Sequence, residues 1–129
     1  DIARAVELFE SGQLQEAALA WRSMAADPGL PLRDRVLQLI NLATTYTKMN
    51  RPGEAEAAYD EGIAIEDQLL RGWARESKAI WLAERGRVGE AAALYESLLR
   101  QYWLDSSDIR RCEQNLALIR SGGLTTAQS

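Results

Sequence analysis

The side chains in this sequence that could do chemistry are nearly all carboxylates and guanidinium or ammonium groups. There are 19 Asp and Glu against 15 Lys and Arg, one thiol at Cys112, and no imidazole anywhere. Without histidine there can be no Ser–His–Asp triad, no Cys–His dyad and no His-containing zinc site. A single cysteine rules out an internal disulfide. With no second thiol or imidazole to complete a ligand set, Cys112 reads as a small buried hydrophobe. Two-carboxylate or Ser–Lys chemistry stays formally open. However, the chain has no Gly-rich phosphate loop, no nucleophile elbow and no carboxylates clustered in a pocket-like setting. The expectation is a protein that is not an enzyme and that carries no metal and no cofactor.

The charge balance narrows the partners. A net charge of −4 lacks the electrostatic footprint of a phosphate binder, so no nucleic-acid partner is expected. The pair Arg110-Arg111 reads as a solvated helix face. No apolar run approaches the roughly 20 residues a bilayer span needs, so no membrane insertion is expected. The opening Asp1-Ile2-Ala3-Arg4 lacks Met and a signal-peptide pattern and reads as a trimmed N-terminus. With the lone Cys, the default expectation is a cytoplasmic setting.

The elements that would position any site are helices. The chain has 20 Ala and 18 Leu but only 3 Val, and strands favour β-branched residues where helices favour Ala and Leu. Three segments align without gaps, Gly12 to Trp21, Asn50 to Tyr59 and Gly86 to Tyr95. Each opens on Gly or Asn, has Glu-Ala at its fifth and sixth places (Glu16-Ala17, Glu54-Ala55, Glu90-Ala91) and closes on an aromatic. Gly122 follows in phase. Gly and Asn tolerate the left-handed conformation that ends a helix. Pro52 suits a first helical turn, and the three Glu sit where a helix dipole favours negative charge. Ala17, Ala55 and Ala91 let a neighbouring helix approach, and Trp21, Tyr59 and Tyr95 lie one turn further on the same face. The predicted helices span 2–11, 14–27, 33–49, 52–67, 71–85, 88–102 and 106–121, with Ser106 or Ser107 capping the last.

On these residues the chain resembles the tetratricopeptide repeat family, whose unit is a helix–turn–helix of about 34 residues with small residues and aromatics at fixed places. Leu39, Leu42, Ala43 and Tyr46 add a matching first helix in the second repeat. The resemblance covers about Ile2 to Arg120. It implies an all-α fold of about seven helices, a right-handed superhelix of antiparallel helix pairs forming an α-solenoid. Residues 1–121 would form a single domain of repeats at about 2–31, 33–69 and 71–105 with a capping helix at 106–121, and 122–129 would be a flexible tail. The repeats are longer than usual, and the join Asp27-Pro28-Gly29-Leu30-Pro31-Leu32 is a clear breaker. Arg75 and Lys78 stand where large apolar residues are expected, which would leave that helix rotated or less buried. In the capping helix Ile109, Cys112, Leu116 and Ile119 form one apolar stripe.

The resemblance also implies a site. First helices of the pairs would line a concave groove that holds a peptide or helix of another protein. Carrying the phase across gives Val6 and Phe9 in repeat one, with Glu10 beside them. It gives Leu37, Ile40, Asn41, Thr44 and Lys48 in repeat two, and Trp73, Ser77, Ile80 and Glu84 in repeat three, with Glu76. Chaperone-binding members grip a C-terminal carboxylate with Asn, Lys and Arg. Asn41 falls on the Asn place, but Ile2, Val6, Trp73 and Ser77 hold the cationic places, so that clamp is not expected. Trp73, Trp81 and Trp103 match no framework place, and each is core filler at a join or an exposed anchor, Trp73 foremost. The alternatives are a self-associating scaffold, a homo-oligomer built on the stripe of the capping helix together with Trp81 and Trp103, or a small acidic secretion-type chaperone.

Overall fold

Four turns in this protein repeat one hydrogen-bonding pattern, and they set where four of its helices end and three begin. The structure, a computed structural model, describes residues 1–123. Among these residues there are seven helices and no strand. They are α1 (Ile2–Glu10), α2 (Leu14–Ala25), α3 (Leu32–Lys48), α4 (Pro52–Glu66), α5 (Trp73–Glu84), α6 (Val88–Leu99) and α7 (Ser106–Arg120). The all-helical expectation holds, and the largest boundary difference is at the end of α6, Leu99 where 102 was expected. The expected tail from 122 lies outside the described residues except for Gly122 and Gly123, which close α7.

Gly12, Asn50, Gly86 and Gly122 all take positive φ, at 82°, 59°, 80° and 80°. Each follows the cap residue that ends a helix, and the next N–H reaches back to a carbonyl five residues earlier. The four bonds are Gln13 N–H to Leu8, Arg51 N–H to Tyr46, Arg87 N–H to Leu82 and Gly123 N–H to Leu118, at 2.8–2.9 Å. The positive-φ residue itself donates to a carbonyl three residues back, as Gly86 does to Ala83 at 3.0 Å. This is the Schellman closure, which satisfies two otherwise orphaned carbonyls per helix. After the first three closures a new helix starts within two residues, with Glu16, Glu54 and Glu90 in its first turn.

The chain packs into two compact units, Asp1–Leu69 and one from Leu70 onward. In the first, α2 packs on α1, α3 on α2 and α4 on α3. Ala17 and Ala55 are fully buried, with Trp21 and Tyr59 buried one turn further. Leu39, Leu42 and Ala43 fill the α3 side, and Tyr46 is half-buried. The Arg35 Nε donates to the Ala25 carbonyl at 2.7 Å, satisfying an orphan acceptor at the end of α2. Arg22 forms a two-pronged pair with Glu61 at 2.8 and 2.9 Å between α2 and α4. That hydrogen-bonded carboxylate raises the Arg22 pKa, and because both side chains are about half exposed the pair contributes at most about 1 kcal/mol.

In the second unit, α6 packs on α5 and α7 on α6. Ala91 and Tyr95 are fully buried with Leu82, Leu98, Cys112 and Ile119. Arg75 and Lys78 are half-buried, as their misfit to the apolar pattern suggests. Two details differ from the sequence reading, and one alternative that it left open, at Trp81, is decided. The N-cap of α7 is Asp105, whose Oδ1 accepts from the Asp108 N–H at 2.7 Å. A carboxylate is the stronger acceptor for that amide, and Ser106 and Ser107 become the first residues of the helix. Trp81 is buried and carries the Arg85 guanidinium 4.5 Å from its ring centroid, so it is core and not an anchor. The stripe of α7 is Cys112, Leu116 and Ile119, with Ile109 left exposed.

Because Ala55 and Ala91 are fully enclosed, replacing either by Leu is expected to cost about 1–3 kcal/mol through overpacking. Gly86→Ala puts a Cβ on a left-handed residue and is expected to cost about 1 kcal/mol. Urea unfolding of the three variants checks both figures, and unchanged midpoints would contradict the packing described.

Candidate functional site

In the first unit, one face of α3 carries Leu37, Ile40, Asn41, Thr44 and Lys48 at helical spacing. Leu37, Thr44 and Lys48 are exposed, and Ile40 and Asn41 are half-buried. Opposite them α1 presents Val6 and Phe9. Val6, Phe9, Asn41 and Thr44 line a cleft of about 170 Å³, with Trp21 in its wall. Lys48 Nζ lies 5.1 Å from the centroid of the Phe9 ring, a cation–π distance that holds a positive charge at the rim. Five of the seven residues expected in this half of the groove thus come together. Leu37 and Ile40 lie on the same helix but outside the walls of the cleft.

The polar groups at this cleft are largely committed. Asn41 Nδ2 donates to Gln38 Oε1 at 3.1 Å, and Gln38 is itself buried. The Thr44 hydroxyl donates to the Ile40 carbonyl at 3.1 Å, the back-bonding that hydroxyl residues make within helices. Trp21 is only 3% exposed, and its Nε1–H is buried without a hydrogen-bond partner. An unmet buried donor of this kind costs roughly 1–3 kcal/mol. What the cleft offers is mostly apolar surface, with the Asn41 amide, only one of whose hydrogens is given to Gln38, in its wall and the Lys48 cation at its edge. The sequence reading had Trp21 as packing only; its place at the end of the first aligned segment was the one signal available.

In the second unit the expected residues scatter. Ser77 and Ile80 are half-buried and Glu84 is exposed on α5, and they are not among the residues lining the cavity that holds Trp73. Trp73 is half-buried and forms part of a different cavity of about 260 Å³, together with Glu76 and residues around the start of α7. Glu76 is the centre of a polar network that sequence reasoning missed. Its side chain is 17% exposed and receives Arg111 Nε at 3.1 and 3.2 Å and Arg111 Nη2 as well. Arg111 also pairs with Asp108 at 2.9 Å. The Cys112 thiol lies 3.8 Å from Glu76, and the Tyr95 hydroxyl 3.5 Å away, itself accepting from Asn115 at 3.1 Å. Arg111 and Glu76 are 35 residues apart, and a solvated pair Arg110-Arg111 gives no hint of that reach.

The network shifts proton affinities in predictable directions. Donating hydrogen bonds to Glu76 raises the already high Arg111 pKa further. Burial, reinforced by the Glu76 charge, raises the Tyr95 hydroxyl. Burial and the same carboxylate push the Cys112 thiol up to about 11, so it is protonated and unreactive near neutral pH. Among the described residues no three His, Cys, Asp or Glu side chains are arranged to hold a metal ion. No helix among them is long and apolar enough to cross a membrane. Set against models of known families, curated proteins and solved structures, the chain matches none.

Cys112 and Tyr95 keep their protons in the folded state at a pH where the unfolded chain has lost them. Folding stability is then whole below the ordinary thiol value of 9.0 and falls as pH rises toward about 11, because ionisation favours the unfolded state. Tyr95 adds to the fall above its own ordinary value of 10.0. Urea unfolding midpoints across this alkaline window are expected to decline, and Cys112→Ala is expected to flatten the first part of the decline. An equally steep loss in that variant would remove Cys112 as a cause.

Proposed function

We propose that this chain is a tetratricopeptide-type protein-interaction module that holds an extended peptide or a helix of a partner protein, without catalysing a reaction. In this reading its helix pairs stack as a right-handed superhelix, and the concave side is the binding face. The single observation that carries the reading is the cleft of Val6, Phe9, Asn41 and Thr44, with Lys48 at its rim over Phe9. Four of the seven residues that the repeat phase selects in the first unit line this cleft, and Lys48 stands at its rim. The four in-phase helix closures at Gly12, Asn50, Gly86 and Gly122 support the same repeat. A carboxylate clamp is not part of the proposal, because the Asn41 amide is engaged by Gln38 and Lys48 is the one cation placed at the cleft by these contacts. A cytoplasmic setting remains the default that goes with this reading.

The test is selection of displayed peptides against the whole chain, followed by affinity measurement on variants. Val6 and Thr44 are exposed, so Val6→Glu and Thr44→Glu leave the core untouched. Selected peptides are expected to lose about tenfold or more in affinity to each variant, equivalent to about 1.4 kcal/mol. Equal affinity for the parent and both variants, with circular dichroism unchanged, would move the site away from this cleft.

A second reading, self-association through α7, has one observation of its own. Leu118 is 46% exposed and lies beside Ala117, Gln114 and Ser121 on an open face, while the stripe of Cys112, Leu116 and Ile119 is buried. If this face associates, sedimentation equilibrium will show a dimer that Leu118→Glu dissociates. A parent that stays monomeric at high concentration rejects this reading.

A further inference from the structure

The cavity beside the first turns of α5 and α7 is lined by aromatic and charged side chains, and the groove reading makes no use of it. Its volume is about 260 Å³, below the roughly 300–1,000 Å³ typical of drug-sized sites. That is room for a single side chain or a small group. Trp73, Trp103, Leu70 and Leu104 are among the residues that line the cavity. The lining also holds the charged residues Glu76, Asp105, Asp108, Arg71 and Arg111.

The charges are not equally available. Arg111 is held by both Glu76 and Asp108, so two carboxylates share one guanidinium. The Asp105 carboxylate caps α7 by accepting the Asp108 N–H, which uses one acceptor direction of several. Three carboxylates against two guanidiniums leave the lining net negative, and an aromatic ring face favours a cation as well. The three carboxylates do not converge as a metal site would require, which points to an extended organic cation. The chain already shows the contact in miniature, since the Arg71 guanidinium lies 5.8 Å from the centroid of Trp73.

We propose that this cavity is a recognition site for a guanidinium group, with the planar cation stacking on the indoles of Trp73 and Trp103 and hydrogen-bonding to Asp105 and Asp108. Arginine suits such a site better than lysine because its flat fork can stack on an aromatic and bond a carboxylate at once. Arg71 acts as an internal competitor for the Trp73 face. The site stands independently of the α1–α3 cleft, and neither requires the other.

The test uses the whole chain and arginine blocked at both ends as the probe. The indole N–H signals of the four tryptophans are assigned by single Trp→Phe variants and followed by NMR during titration. The Trp73 and Trp103 signals are expected to shift together and saturate, while that of Trp21 stays still. Asp105→Asn keeps a cap of equal quality but removes the charge, and is expected to weaken binding about threefold, the worth of one exposed ion pair. Arg71→Ala is expected to tighten it by vacating Trp73. A peptide with one central arginine, compared with the blocked amino acid, separates a protein-borne guanidinium from a free one: tighter binding of the peptide assigns the site to a partner's side chain, and equal or weaker binding assigns it to a small molecule. The proposal is overturned by unsaturable or uniform shifts, by equal binding of blocked glutamine, by unchanged affinity in Asp105→Asn with circular dichroism intact, or by inorganic phosphate shifting the same two indoles more tightly than arginine.

Discussion

The left-handed residue that closes α1, α3, α5 and α7 is the constraint on which the rest of this structure depends. A helix end leaves carbonyls without partners, and a positive-φ residue lets the chain turn back and fill two of them. Once Gly12, Asn50 and Gly86 take that conformation, the next helix must begin within two residues. Its sixth-place alanine then arrives at the contact with the preceding helix, and the aromatic one turn later has a defined space to fill. Ala17, Ala55 and Ala91 are buried together with Trp21, Tyr59 and Tyr95 for this reason. The closures at the ends of α2, α4 and α6 are different. The residues after their caps, Asp27, Gln68 and Gln101, do not take a positive φ, and the joins that follow vary in length and composition. Regular turns therefore fix the pairs, and irregular joins are where the chain has freedom to build cavities.

The cavity at Trp73 shows that freedom. Leu70 has φ of +54°, a conformation that costs a non-glycine residue of order 1 kcal/mol. Gly72 follows, and a Cβ there would collide with a δ-carbon of Leu98. The chain is thus brought tightly against α6 just before α5 starts, and this sets the position of Trp73 and Glu76. Glu76 in turn ties α5 to α7 through Arg111 and touches Tyr95 of α6. A carboxylate this enclosed would be costly without its guanidinium, so the pair specifies how α7 lies on the unit more than it adds stability.

What could be read from the sequence was what is periodic. Glycine and asparagine at positive φ, glutamate in the first turn and alanine at close contacts are local requirements, and each leaves the same residue type at the same spacing. The helices and most of the core followed from them. The α1–α3 cleft could be anticipated in part, since Val6, Phe9, Asn41, Thr44 and Lys48 meet through phase alone, while Leu37 and Ile40 share the helix but not the concavity. The second unit resisted. Ser77, Ile80 and Glu84 do not gather around Trp73, because the irregular join redirects the cavity toward the start of α7. The pairing of Glu76 with Arg111 joins residues far apart in sequence, and salt-bridge partners carry no periodic signature. The exposure of Ile109 against the burial of Cys112 has no local signal either.

The burial of Cys112 has a consequence for following motion in this protein. Its thiol is fully enclosed, protonated at neutral pH and the only sulfhydryl in the chain. A thiol reagent in solution can therefore modify it only after α7 lifts from its unit. The rate of labelling is then a clock for that opening event, read at one atom without any engineered probe. Because the first unit contains no thiol, the clock reports on the second unit alone, and with rapid labelling it gives the opening rate and with slow labelling the opening equilibrium.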